Sequence, residues 1–259
     1  MKIGMLGCGT IGTFLLETLN KSNRNEKIVA IYSRNYEKTK EIAEQYNATS
    51  YKTVGELLKS DLDLIVEVAT IEVVRQYALQ VIDHGIPLIV SSIGAFSDEV
   101  FWQQLKEKSE EKLTKVYIPS GAVGGLDLLQ SAKVTDGLKS VTLTTRKPAH
   151  SLQGAEEVKE EQVLFEGKAK DVIARYPRNM NVAIALSLAG IGPKETNVRL
   201  IADPQVKRNV HTIEANGEFG TFSLQVENEP MPGNPKTSYL AALSVLSSII
   251  AHSDRVQIG

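Results

Sequence analysis

Residues 2–20 restrict this chain more tightly than any other stretch. A short apolar run, Lys2-Ile3-Gly4-Met5-Leu6, leads straight into Gly7-Cys8-Gly9-Thr10-Ile11-Gly12. Ile11, Phe14, Leu15, Thr18 and Leu19 then recur at helical spacing. The glycine string alone is a weak signal, and a glycine-rich turn with no ligand is the plain alternative. Between a strand and a helix it acquires a mechanism, that of a dinucleotide fingerprint. Gly7 permits the tight turn, Gly9 lets the backbone approach a pyrophosphate, and Gly12 lets helix and strand pack closely. Thr10 and Ile11 open the helix, whose N–H groups and positive dipole end face the phosphates.

The same rhythm continues. Strands are expected at 28–32, 63–68, 87–91 and 116–118, and helices at 36–47, 71–83 and 98–110. Thr53 and Glu56 form a capping-box pattern opening a short helix through Leu58, and Gly85 is placed to close helix 71–83. Strand–helix alternation with nonpolar strands implies an α/β fold: a Rossmann-type parallel sheet covered on both faces, over residues 1–118. The order of strands in that sheet is not readable from periodicity. After Pro119 the rhythm changes. Residues 141–147 alternate apolar and hydroxyl side chains, as a half-exposed antiparallel strand would. Residues 169–176 and 181–189 look helical, and 199–202, 211–215 and 219–226 look like strands, the last two joined across Asn216-Gly217. Residues 119–235 are therefore expected to form an α+β catalytic and dimerisation domain. Within it, 228–235 holds three of the nine prolines and reads as a linker. The apolar helix 238–252 is expected to return to the first domain or its seam, so 236–259 is assigned there.

Composition removes several classes of function. Of 259 residues, 42% are hydrophobic and 23% charged, the make-up of a globule with a sizeable core. A net charge of -2 provides no basic field for nucleic acid or an anionic membrane, and neither is an expected partner. No apolar stretch approaches the roughly 18–20 residues of a membrane span. The segment before Cys8 is too short for a signal-peptide core of roughly 7–15 residues. A lone cysteine excludes an internal disulfide or a multi-cysteine metal site, so no metal is expected and a cytoplasmic home fits.

The end of the second strand bears on the nucleotide. Ile31-Tyr32-Ser33-Arg34-Asn35 holds no carboxylate before Glu37, whereas an acid there would bond the ribose hydroxyls of NAD. Ser33 can donate to phosphate, and Arg34 can pair with a 2′-phosphate or stack on the adenine. NADP is accordingly expected to be accepted and preferred. If Arg34 is instead a solvated loop residue, NAD or NADP serves equally.

The second half carries a resemblance. Pro119-Ser120-Gly121-Ala122-Val123-Gly124-Gly125-Leu126-Asp127, Val141-Thr142-Leu143-Thr144-Thr145-Arg146-Lys147-Pro148 and Leu164-Phe165-Glu166-Gly167 are similar to the L-aspartate dehydrogenase family. So are Asn179-Met180-Asn181-Val182-Ala183, Ala189-Gly190-Ile191-Gly192, Ala202-Asp203-Pro204, Arg208-Asn209-Val210-His211 and Asn234-Pro235-Lys236-Thr237-Ser238. The resemblance covers nearly the whole chain in the family's order. It implies reversible NAD(P)-dependent oxidation of L-aspartate to iminoaspartate, which hydrolyses to oxaloacetate and ammonia and can feed quinolinate and NAD biosynthesis. It also implies a homodimer, His211 as the active-site histidine, and cofactor contacts at Ala122 and Asn181. Two departures stand out: Ser33-Arg34 where many relatives carry an acid, and Glu67-Val68-Ala69-Thr70 in place of a smaller-residue version, a change expected to be tolerated.

The residues permit the same chemistry. Oxidising an amino acid removes a proton from nitrogen and a hydride from Cα, and histidine titrates nearest neutrality, at about 6.5. Of the four histidines, His84 sits at a helix end where the dipole favours it, His150 in a polar loop and His252 near the tail. His211 lies on a strand of the catalytic half, where it is expected to face the nucleotide across a cleft. A lone strand histidine is more often structural; the resemblance reverses that preference. Thr145, Arg146, Lys147, Arg208 and Lys236-Thr237-Ser238 are candidates to receive the two carboxylates of aspartate, each weighed against an ordinary solvated charge. A homoserine-dehydrogenase-like or dihydrodipicolinate-reductase-like enzyme, or a non-catalytic NAD(P)-binding redox sensor, are the alternatives.

Overall fold

Local periodicity forms the elements of the first half, and non-local pairing orders them. The computed structural model describes residues 1–152, 154–155, 157–176 and 180–256. It divides into two units, Met1–Pro119 with the stretch from Ala242 onward, and Ser120–Ala241.

The first unit holds β1 (Lys2–Leu6), α1 (Thr10–Asn20), β2 (Lys27–Tyr32), α2 (Tyr36–Gln45), β3 (Thr49–Tyr51), α3 (Val54–Leu57) and β4 (Leu64–Glu67). It continues with α4 (Ile71–Asp83), β5 (Leu88–Val90), α5 (Glu99–Glu111) and β6 (Val116–Tyr117). The strands form one all-parallel sheet in the order β3-β2-β1-β4-β5-β6. Ile3 to Leu6 and all of β4 are buried residue after residue, which requires cover on both faces. Side-chain caps start the helices where the sequence signals them. Thr53 Oγ1 accepts from the Glu56 amide while Glu56 Oε2 accepts from the Thr53 amide, both at 3.2 Å, and Asp98 Oδ1 caps α5. Each such cap stabilises its helix by about 1 kcal/mol. The edge strand β3 has no sequence signature; three residues are too few to show a period.

The second unit holds α6 (Leu126–Lys133), β7 (Leu138–Pro148), β8 (Gln162–Lys168), α7 (Ala169–Arg175), α8 (Asn181–Ala189), β9 (Asn197–Asp203), β10 (Asn209–Gly217), β11 (Gly220–Asn228), β12 (Pro230–Met231) and β13 (Asn234–Ser238). Its main sheet runs β11-β10-β7-β9-β8. Expectation needs three corrections here. β7 is not simply antiparallel: it is the central strand, antiparallel to β10 and parallel to β9. The hairpin does not turn at Asn216-Gly217. Gly217 pairs with Gly220, so the apex is Glu218-Phe219 and Gly220 takes the left-handed position at φ +109°. Gly217 serves another purpose, since a Cβ there would lie 2.2 Å from the Gly137 carbonyl oxygen. Finally, the proline-rich stretch is no linker. β11 extends to Asn228, and β12 and β13 pair as a small ribbon, with Pro230 in the two-residue β12 and Pro232 in the turn that joins the strands.

The last helix, α9 (Tyr239–Ser253), sends Val245 and Ile249 into the core of the first unit beside Ile3, Leu15, Leu64 and Ile89. Burying each such side chain contributes roughly 1.5–3 kcal/mol. His252 Nδ1 lies 3.1 Å from the Tyr117 hydroxyl, and Ser253 Oγ donates to Glu26 Oε1 at 2.5 Å, so the helix end is fixed by polar contacts as well.

Candidate active site

The glycine loop leaves β1 at the point where strand order reverses, with β2 on one side and β4 on the other. In open α/β sheets that point is the ligand crevice. Gly7 is held at φ +106°, its amide donating to the Tyr32 carbonyl at 2.8 Å, and a Cβ would collide with Ala69 at 2.8 Å. A Cβ on Gly12 would meet the Gly7 carbonyl oxygen at 2.8 Å, so this glycine lets α1 close on β1. Gly9 is different. Nothing lies within 4 Å of its Cβ position, it is exposed, and it begins α1 without a side-chain cap or an acid in the first turn. An exposed, unscreened helix start beside open space fits a pyrophosphate laid against Thr10 and Ile11. Cys8 is half-buried, and burial pushes its thiol above the ordinary range, which suits a loop filler rather than a nucleophile.

Beyond β2, Ser33 is half-buried and Arg34 exposed, with no ion pair to Arg34 among the described residues. Lys38, in the first turn of α2, is near enough to lower the Cys8 pKa in part, so positive charge gathers on this side of the loop. Across the reversal point lies a residue that the sequence marks only as part of a tolerated departure, with no role of its own. Glu67 ends β4 at 1% exposure, and its carboxylate accepts from the Ala69 amide (2.7 Å), the Ser92 amide (3.0 Å) and the Ser92 hydroxyl (2.8 Å). Burial raises its pKa, and those hydrogen bonds oppose the rise. Glu67 thereby ties the loops after β4 and β5 together, and Ala69 is the residue that Gly7 packs against. The available signal was a carboxylate ending an otherwise apolar strand.

In the second unit, residues 141, 143 and 145 of β7 project from one face of the sheet, and all three are buried. The end of α8 covers this face, since a Cβ on Gly190 would lie 3.5 Å from Val141 Cγ2. Toward the far end of β7 the same face becomes polar. Thr145 lies opposite His211 of β10, and Thr145 Oγ1 sits 3.0 Å from His211 Nδ1. His211 is 4% exposed. Burial, with the Lys147 charge adding to it, lowers the imidazole pKa to about 3, and burial also lowers that of Lys147. Arg146 points to the opposite face, where it pairs with Glu161 and, at 2.6 Å, with Asp203. Arg208 pairs with Glu229 at 2.5 Å. Of the candidate carboxylate receivers on β7, Thr145 and Lys147 therefore share a face with the histidine and Arg146 does not.

Ala122 is half-buried, and its carbonyl accepts from Asn228 Nδ2 at 3.0 Å. Asn228 Oδ1 is buried with no partner among the described residues, leaving an acceptor beside that loop. Asn181 is exposed at the first turn of α8, which no side chain caps. Asn179 and the Lys236 side chain lie outside the described residues. Two of the other histidines have structural surroundings, His84 Nδ1 lying 2.8 Å from the Gln80 carbonyl and His252 meeting Tyr117, while His150 is exposed. Among the described residues no group of three His, Cys, Asp or Glu side chains is placed to hold a metal ion, and no helix is long and apolar enough to cross a membrane.

A parallel sheet with a glycine loop at its reversal point, joined to a mixed sheet carrying a withdrawn imidazole, defines a nicotinamide-nucleotide-dependent oxidoreductase. Comparison with known proteins narrows the class. Residues 7–119 match the family model described as homoserine dehydrogenase, NAD binding domain, and 127–252 match aspartate dehydrogenase, C-terminal. An L-aspartate dehydrogenase of Methanosarcina barkeri is 42% identical over 100% of this chain and 99% of its own length. The crystal structure of aspartate dehydrogenase from Thermotoga maritima superposes with a TM-score of 0.81 at 28% identity, covering 100% of this chain and 99% of that one. A scyllo-inositol dehydrogenase from Lactobacillus casei with bound NAD(H), 11% identical with a TM-score of 0.57 over 96% and 86% of the two chains, shares the fold alone. The chain belongs to the L-aspartate dehydrogenase family, as its motifs indicate. The first half by itself does not separate this family from a homoserine-dehydrogenase-like enzyme; the second half does.

Proposed function

We propose that this chain oxidises L-aspartate with NADP or NAD, releasing iminoaspartate that water converts to oxaloacetate and ammonia, and that it runs the reverse reductive amination. The observation that carries the reading is a neutral, buried imidazole held by Thr145 on the covered face of the second unit's sheet. With Nδ1 engaged by the threonine hydroxyl, Nε2 is the nitrogen left to exchange protons with substrate. As the Cα–H bond gives up its hydride, His211 takes a proton from the substrate amine and releases it to solvent. It then takes one from the water that attacks the imine carbon and delivers it to the nitrogen, which leaves as ammonia when the new hydroxyl gives up its own proton to form the ketone. When bound, the nicotinamide ring supplies the hydride acceptor. Gly7, Gly9 and Gly12, with the amides of Thr10 and Ile11, hold the pyrophosphate, while Ala122 and Asn181 are contacts for the rest of the cofactor.

Ser33 and Arg34 receive the adenosine end, so NADP is the favoured nucleotide. No acid follows β2 to bond the ribose hydroxyls, and Arg34 has no competing carboxylate among the described residues. Such an enzyme works in the cytoplasm as a homodimer; light scattering on the purified chain checks the second point. The decisive assay follows absorbance of the reduced nucleotide with L-aspartate and NADP or NAD at mildly alkaline pH, where the neutral amine is available. His211→Ala should keep its affinity for the nucleotide and lose about 10²–10⁴-fold in kcat. An unchanged kcat refutes the role given to His211, and absence of turnover in the native protein refutes the activity.

A further inference from the structure

We propose that Lys147 receives one carboxylate of the substrate and thereby sets the preference for an acidic amino acid, an inference that rests on the aspartate reading. Thr145 and Lys147 stand two residues apart on β7 and project from one face, and Thr145 lies directly opposite His211. The charge of Lys147 acts on the imidazole, so the ammonium lies within electrostatic reach of the ring. The neighbouring cations are already paired, Arg146 with Glu161 and Asp203 and Arg208 with Glu229. Lys147 is the exception. Among the described residues no carboxylate pairs with it, although it is drawn far enough from water for burial to lower its pKa.

An ammonium withdrawn from water without a counter-ion costs stability, and such a cost persists where the surrounding structure compensates it or function requires it. An amino dicarboxylate brings the missing charge. One carboxylate against Lys147 places the amino-bearing carbon within reach of His211, since α- and β-carboxylates both lie within two bonds of that carbon. The same pairing offsets the Lys147 charge, the lesser of the two causes that depress the imidazole after burial, and so raises the basicity of the group that must deprotonate the substrate. An amino acid of similar size without a second carboxylate forgoes one of its anchoring contacts.

The test uses the full-length protein saturated with NADPH, and succinate as an unreactive dicarboxylate probe, in wild type, Lys147→Met and Lys147→Arg. A charge-assisted hydrogen bond of about 1.5–3 kcal/mol corresponds to roughly 10–100-fold in affinity. Succinate Kd by calorimetry should rise by about that factor in Lys147→Met and by only a few-fold in Lys147→Arg, with NADPH Kd unchanged in both. KM for L-aspartate should rise in parallel, with kcat altered less. Succinate Kd and aspartate KM unchanged in a folded Lys147→Met overturn the proposal. If that variant does not fold, Lys147→Arg decides: loss of succinate binding no greater than its loss of NADPH binding also overturns it. A wild type that binds succinate through Lys147 yet turns over no aspartate defeats the activity instead, leaving the carboxylate site standing.

Discussion

Acidification tests the electrostatic state of the site most directly. His211 titrates at about 3 in the folded chain and at the ordinary value of 6.5 when unfolded. Its folded pKa is depressed, so its contribution to stability is complete above pH 6.5 and is lost as pH falls toward 3. One pKa unit corresponds to about 1.4 kcal/mol. The loss therefore reaches about 2 kcal/mol at pH 5 and about 4 kcal/mol at pH 3, and approaches its limit of about 5 kcal/mol only below that. Glu67 acts in the opposite sense: its raised pKa penalises the fold at high pH and relieves it as pH falls. The informative quantity is consequently a difference. Urea unfolding of wild type and His211→Gln at pH 7 and pH 5 should show wild type losing about 2 kcal/mol more than the variant. The His211 ring resonances should also stay unshifted between these pH values. Equal losses in the two proteins, or an imidazole that titrates near 6.5, would refute the claim that His211 is a buried neutral base.

Other perturbations separate binding from folding. Gly9→Val should leave the melting temperature within about 2 °C, since nothing occupies its Cβ position, while NADPH affinity measured by fluorescence falls tenfold or more, about 1.4 kcal/mol. Gly12→Val, by contrast, drives a side chain into the Gly7 carbonyl and Met5, and should cost about 1–3 kcal/mol in urea unfolding. Arg34→Glu should shift the ratio of kcat/KM for NADP over NAD by at least tenfold toward NAD, or about 1.4 kcal/mol; an unchanged ratio would return Arg34 to the solvated surface. Glu67→Ala strands the Ala69 and Ser92 amides, and at about 1–3 kcal/mol for each buried group left unpaired it should lower stability and weaken NADPH binding together.

The first unit was legible in the sequence because its determinants are local. The glycine loop, the 3.6-residue faces and the Thr53–Glu56 box each act within a few residues, and the elements follow with boundaries moved by one or two positions. Strand order was not legible, since parallel strands meet through long crossovers. The second unit defeated local reading where one residue type serves two ends. Gly217 resembles the left-handed residue of an Asn-Gly turn but is small because Gly137, just ahead of β7, approaches there, which only the register of β10 on β7 reveals. β8 lies at a sheet edge with most residues partly exposed, so it shows no clean alternation. Thr145, Arg146 and Lys147 looked equivalent as candidate receivers. Strand alternation was enough to divide them, because residues 141, 143, 145 and 147 share parity and Arg146 does not. That Arg146 is consumed by Glu161 and Asp203, and that His211 stands opposite Thr145 from 66 residues away, depended on pairing across the sheet. The chemistry of the histidine is accordingly a property of register. A one-residue slip of β10 on β7 would turn His211 to the face of Arg146, away from Thr145 and Lys147. The apolar residues Ile213 and Ala215, buried on the same side of β10, oppose that slip. The core pattern of one strand thus fixes the direction of the histidine to which the proton transfers are assigned in our proposal.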